Sequence, residues 1–210
     1  YYTNQKRNSK TKSLEGEDYF ATPEPLGYKI VEWLDIRPNE SVLEPSCGHG
    51  AIARFFPGTS TNYIVEPSRE LISKARLNID NVKPEYFFEE TFETFGDSFK
   101  ADNIGMNPPF GSAGKKACQH LELALLKHFY FYLNDPTRKG RCIAILPDTT
   151  YVNKYLKKLF SEEFFEEINK EDSYLRSRKR ELFKRIKLSY EVLLPSCTFN
   201  RAGTSVLCKI

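Results

Sequence analysis

The sequence predicts a doubly wound α/β fold, a mostly parallel sheet covered by helices on both faces. Three observations point to it. Short apolar runs alternate with amphipathic helical patterns, the chain order that a parallel sheet requires. A glycine-rich loop, Pro45 to Gly50, follows the first strand and opens a helical pattern. Finally, Glu44, Glu66, Glu90 and Asn107 fall at the carboxyl ends of successive strands, where such sheets bind ligands.

Each element follows from its residues. Residues 1–18 are polar, lysine-rich and aperiodic, and read as a flexible arm; 19–210 make one domain, long enough for a real core. Thr22 is placed as the N-cap of a helix over 23–35, with Pro23 at its first position. Leu26, Ile30, Trp33 and Leu34 form its core-facing stripe. Further helices are expected at 51–56, 68–78, 115–133 and 150–160. Seven strands are expected, at 41–44, 61–65, 85–90, 102–106, 140–146, 188–194 and 204–210. A short loop joins the last two, so they should form an antiparallel hairpin. Residues 161–187 form a charged insertion, acidic from Glu162 to Glu171 and basic from Arg176 to Lys187, with seven cations in twelve residues. That basic stretch fits two readings, a track for phosphates or the solvated face of a helix.

Composition excludes several classes. No run of eighteen apolar residues is present, so no membrane span is expected, and no signal peptide is visible. Cys47, Cys118, Cys142, Cys197 and Cys208 are scattered and odd in number. They read as reduced thiols in a cytoplasmic protein rather than a disulfide frame or zinc site. His49, His120 and His128 show no ligand spacing, so no metal is expected, and the last two read as packing or solvent residues. The net charge of +3 is only mildly basic.

Two motifs carry chemistry. Ser41 to Glu44 is an apolar strand, and Gly48-x-Gly50-x-x-Ala53 lets the backbone turn sharply against a ligand. Glu66 lies 18 residues after Gly48, at the end of the next strand. A carboxylate there can accept both donors of a ribose diol. Loop and acid together say "adenosine-containing cofactor on a Rossmann-like sheet" and leave nicotinamide and other cofactors open. The second motif is Asn107-Pro108-Pro109-Phe110, after the apolar strand 102–106. Two prolines force the chain out of the sheet in a stiff turn. That turn holds an amide, a backbone carbonyl and an aromatic ring at the sheet edge, the groups needed to grip an exocyclic amine and stack on its ring.

These residues resemble the amino-methyltransferases, and their order resembles the gamma-type N6-adenine DNA methyltransferases. Asn107 to Phe110 is similar to motif IV, Val42 to Gly50 to motif I, and Glu66 to the acid of motif II. Phe20-Ala21-Thr22-Pro23 resembles motif X and precedes the glycine loop, as in the gamma order. Gly140 to Pro147 resembles motif VI, and Thr198 to Ile210 the closing hairpin. The resemblance implies a class I methyltransferase fold and S-adenosylmethionine as cofactor. Its ribose would lie on Glu66 and its methionine end near Ser46, Gly48 and Gly50, under Phe20 and Thr22, with Glu44 and Asn107 also lining that site. Glu90 would meet the adenine amino group and Phe92 its ring. Asp102 would be structural.

The same resemblance implies that Asn107 and the Pro108 carbonyl accept from the target amine. Phe110 would stack on the flipped base, with Pro109, Lys115 and Lys116 on the substrate side. DNA adenine N6 is the expected target. RNA adenine or guanine, protein glutamine, and a non-catalytic subunit are the alternatives. The chain stops at the hairpin, so target recognition is expected to be loose, or to come from a partner subunit or a missing region.

Overall fold

Five of the expected strands meet in one sheet. In a computed structural model of the chain, the structure describes residues 20–96, 98–129, 140–161, 177, 180, 186–199 and 207–210. The arm over 1–18 and most of the charged insertion 161–187, including all of Arg176 to Lys187 except Ser177, Arg180, Ile186 and Lys187, lie outside the described residues. Strands β1 (Ser41–Glu44), β2 (Thr61–Val65), β3 (Phe87–Phe88), β4 (Asn103–Met106) and β5 (Cys142–Ala144) form one sheet in the order β3-β2-β1-β4-β5. All four pairings are parallel. The chain builds outward from β1 to β3, then returns to place β4 on the other side of β1. That reversal opens a crevice at the carboxyl ends of β1 and β4.

Buried polar groups pin the register at the opposite end. Asp102 Oδ2 accepts from the Ser41 N–H (2.7 Å) and hydroxyl (2.9 Å), so the start of β4 is tied to the start of β1. Glu40 Oε2 accepts from Asn103 Nδ2 (2.9 Å) beside it. Asp102 is therefore structural.

Helices cover the sheet where the spacing predicts them, with instructive differences. Helix α1 (Glu24–Leu34) buries Gly27, Ile30 and Leu34, while Trp33 stays 36% exposed and Leu26 half-buried. Gly27, outside the expected stripe, is buried so closely that a Cβ there would lie 2.4 Å from the Ala51 carbonyl oxygen. The N-cap of α1 is Pro23, whose carbonyl accepts the first helical bonds, and not Thr22. The Thr22 hydroxyl is used elsewhere, as described below. The helix expected over 51–56 is a single 3-10 turn, Ala53–Phe55, because Phe56 turns extended just before Pro57. Helix α2 (Arg69–Asn78) is capped by Ser68, and α4 (Thr150–Leu159) by Thr149, each hydroxyl accepting from an N–H three residues on. Helix α3 (Lys115–Leu123) widens into a π-turn over Ala124–His128 and does not run on to 133 as an α-helix. Residues 130–139 lie outside the described residues.

The seven-stranded sheet is the main correction. Among the described residues five parallel strands form one sheet, and β6 (Leu146–Pro147) pairs antiparallel with β7 (Cys208–Lys209) in another. Ile145 marks the division. Its N–H still donates to the Met106 carbonyl (2.9 Å), whereas Leu146 already pairs with Lys209. Among the described residues, the segment expected as strand 188–194 bonds to the chain end only near Val192 and Leu194, through an antiparallel bridge. Leu188 (51%), Tyr190 (85%) and Leu193 (66%) are exposed, so no buried face extends its ladder. Among the described residues no helix is long and apolar enough to cross a membrane.

Candidate active site

The loop after β1 is shaped by its glycines. Gly48 (φ 56°) and Gly50 (φ 89°) adopt left-handed conformations, and a Cβ on Gly50 would lie 2.6 Å from Ile79 Cδ1. Main-chain donors then hold two carboxylates. Glu44 Oε2 accepts from Ala53 N–H (2.7 Å). Glu66 Oε2 accepts from Gly48 N–H (2.9 Å), and its Oε1 from Ser68 N–H (2.9 Å). Burial pushes the Glu44 carboxyl well above the usual range; the Ala53 N–H opposes this and Glu66 adds to it. Burial, then Glu44 and Glu66, also push the Cys47 thiol well up, so it stays protonated.

The turn after β4 closes the crevice from the other side. Asn107 Nδ2 donates to the Phe20 carbonyl (2.9 Å) and to Thr22 Oγ1 (3.1 Å). A carbonyl oxygen can only accept, so the nitrogen must face it, which settles the orientation of the amide. The other end, Oδ1, is buried without a hydrogen-bond partner. Phe110, 8% exposed, stands 6.2 Å from Phe20 with the rings tilted by 35°.

These groups surround one open cleft of about 850 Å³, mouth included. Of the residues that the sequence picked out, Phe20, Thr22, Glu44, Ser46, Glu66, Phe92, Asn107, Pro108, Pro109, Phe110 and Lys116 line it. Gly48 and Gly50 shape its floor without lining it. Glu90 and Lys115 do not line it either. β3 is only two residues long because Pro84–Tyr86 forms a 3-10 turn before it. The loop therefore presents Thr91, Phe92 and Glu93 to the cleft. Lys115 is exposed, with its ammonium 5.7 Å from the Tyr151 ring centre. Lys116 reaches Glu93 Oε1 at 3.6 Å.

No protein-family model matches the chain. A Clostridium tetani protein described as an uncharacterized RNA methyltransferase is 27% identical over 139 residues, 61% of this chain and 30% of that protein. A Vibrio vulnificus structure is described as a modification subunit of a provisionally assigned type I restriction enzyme. It matches 99% of this chain and 46% of its own, with a TM-score of 0.62 and 19% identity. A Listeria monocytogenes structure, provisionally described as a class I S-adenosylmethionine-dependent methyltransferase, matches 99% of this chain and 64% of its own. Its TM-score is 0.61 at 13% identity. The fold is the Rossmann-like methyltransferase fold. The chain thus spans less than half the length of the clostridial and Vibrio proteins.

Three polar residues of the cleft were not picked out as site residues in the sequence, Thr91, Glu93 and His120, the last read there as a packing or solvent residue. His120 is 4% exposed and its Nε2 lies 3.3 Å from Glu93 Oε1. The available signal was the strand boundary: with β3 ending at Phe88, the loop that follows brings Glu93 rather than Glu90 to the cleft. For His120 the signal was its place four residues after Lys116, on the same helical face.

Proposed function

We propose that this chain is an S-adenosylmethionine-dependent methyltransferase acting on the exocyclic N6 amine of adenine in nucleic acid, with DNA the favoured polymer. One observation carries the reading. Asn107 has both amide hydrogens committed to Phe20 and Thr22, and its acceptor oxygen is buried at the cleft without a partner. A buried acceptor left open costs about 1–3 kcal/mol, a cost that a site keeps when a ligand donor will fill it. An amine held by Asn107 Oδ1 and the Pro108 carbonyl has both N–H bonds directed at acceptors. Its lone pair then leaves conjugation with the ring and is free to attack.

The residues present also fit the cofactor. Glu66 is a buried carboxylate lining the cleft, an acceptor-only group that suits the two donors of a ribose diol. Ser46 Oγ is a second buried group without a partner at the cleft. Thr91, Phe92 and Glu93 offer a ring and a carboxylate for adenine, with Glu93 taking the role expected of Glu90. When bound, S-adenosylmethionine supplies a methyl carbon on a sulfonium for in-line displacement. Alignment by Asn107 and exclusion of water by Phe20 and Phe110 are what this chain adds. No strong base is needed, because a methylated ring ammonium is acidic enough to lose its proton to water.

DNA is supported by the Vibrio modification subunit that shares the fold, and RNA by the clostridial relative. Nucleoside mass spectrometry after incubation with S-adenosylmethionine and duplex DNA, single-stranded DNA or RNA tests the reading. N6-methyladenine in DNA, absent with Asn107→Ala, is expected. Product in RNA alone reassigns the polymer. Methylation of glutamine in protein, or none of any kind, overturns the nucleic-acid assignment.

A further inference from the structure

We propose that His120 is a positioning residue that holds Phe92 and Glu93 as one clamp for the adenine ring of the cofactor. The inference rests on the cofactor reading above. His120 Nε2 lies 3.3 Å from Glu93 Oε1, and the ring centres of His120 and Phe92 are 5.5 Å apart. One α3 side chain therefore meets both halves of the clamp: the carboxylate that accepts from an amino group and the ring that packs on a base. Lys116, one turn earlier on α3, reaches the same Glu93 oxygen at 3.6 Å, and neither contact uses Oε2.

The other side of Phe92 is closed by His128, at 5.0 Å between ring centres. His128 Nδ1 is engaged with the Phe99 carbonyl (3.0 Å), and His128 does not line the cleft. His120 does line it. Burial pushes the Glu93 carboxyl up, but its own backbone N–H, His120 and Lys116 outweigh this and leave it below the usual carboxylate range. An ionised carboxylate whose Oε1 faces the His120 and Lys116 nitrogens at 3.3 and 3.6 Å selects an amino group over an oxo group at the same ring position. It accepts from the first and repels the second. Helix α3 starts five residues beyond Phe110, so the clamp and the Asn107 turn are braced by one element.

The test measures the affinity of S-adenosylhomocysteine against that of S-inosylhomocysteine, in which the adenine amine is replaced by oxygen. Calorimetry on the wild type, His120→Ala and His120→Gln supplies the numbers. The wild type should prefer the adenosyl ligand by at least about tenfold. His120→Ala should bring that ratio close to one, and His120→Gln, which keeps an N–H donor, should restore most of it. A general loss of structure weakens both ligands alike and leaves the ratio unchanged, so an unchanged ratio in His120→Ala overturns the assignment. Failure of His120→Gln to restore the ratio overturns it too. A wild type that binds neither ligand sinks the cofactor reading and this inference together. A wild-type preference that survives both substitutions sinks the inference alone.

Discussion

The two walls of the cleft are built by different means. On the β1–β2 side, Glu44 and Glu66 are held by the N–H groups of Ala53, Gly48 and Ser68. On the β3–α3 side, Phe92 and Glu93 are held by side chains, His120, His128 and Lys116. A wall held by main chain needs glycine at fixed places and tolerates no added methyl. A wall held by side chains sets few backbone demands and tolerates substitution, at the cost of affinity. Between them stands Asn107, whose amide bonds to a backbone carbonyl and a hydroxyl together.

That contrast can be broken in graded ways. Asn107→Ala should have the largest effect, lowering methyl transfer by about 10³-fold, because it removes an acceptor aligned with the nucleophile. S-adenosylhomocysteine affinity should fall by less than about tenfold, from the freed Phe20–Thr22 segment. Stopped-time transfer assays and calorimetry separate the two, and a collapse of binding would show that Asn107 belongs to the cofactor site instead. Glu66→Gln should weaken cofactor binding by about tenfold with little change in turnover at saturation, since an amide offers one acceptor oxygen where the carboxylate offers two. Unchanged affinity would remove Glu66 from the ribose site.

Gly27→Ala probes the main-chain wall from behind. Its new Cβ meets the Ala51 carbonyl, so urea unfolding should show a loss of about 1–3 kcal/mol, and no loss would mean that α1 shifts freely against the loop. Glu44→Gln should produce the smallest change, one of pH dependence. The raised Glu44 pKa means that the folded state holds a proton which the unfolded state releases above about 4.5, so stability falls as pH rises from there towards the folded value. The amide keeps an acceptor for Ala53 and carries no charge, so stability should become flatter with pH and higher on the alkaline side. A steeper profile would refute the assignment.

How much of this was legible follows the same division. The bounds of β1 and β2 match the expected 41–44 and 61–65 residue for residue, because buried apolar runs ending at glycine, proline or acid are local signals. The Asn107 turn and the glycine loop announce themselves for the same reason. What went unread depends on contacts between distant residues. Glu93 and His120 are 27 positions apart in sequence and meet only after α3 packs beside the β3 loop. Thr22 looked like a cap because its neighbours favour one. Its hydroxyl is drawn instead to Asn107, 85 residues away, which no local pattern encodes. The break at Ile145 was equally hidden, since one apolar run, 142–147, serves two different partners.

Phe20 and Thr22, which line the cleft, are fastened to the Asn107 amide proposed to orient the nucleophile. Were that segment to part from Asn107, the amide would lose both contacts that set its direction. Displacement of the segment and orientation of the amide would then exclude each other, as two positions of one latch.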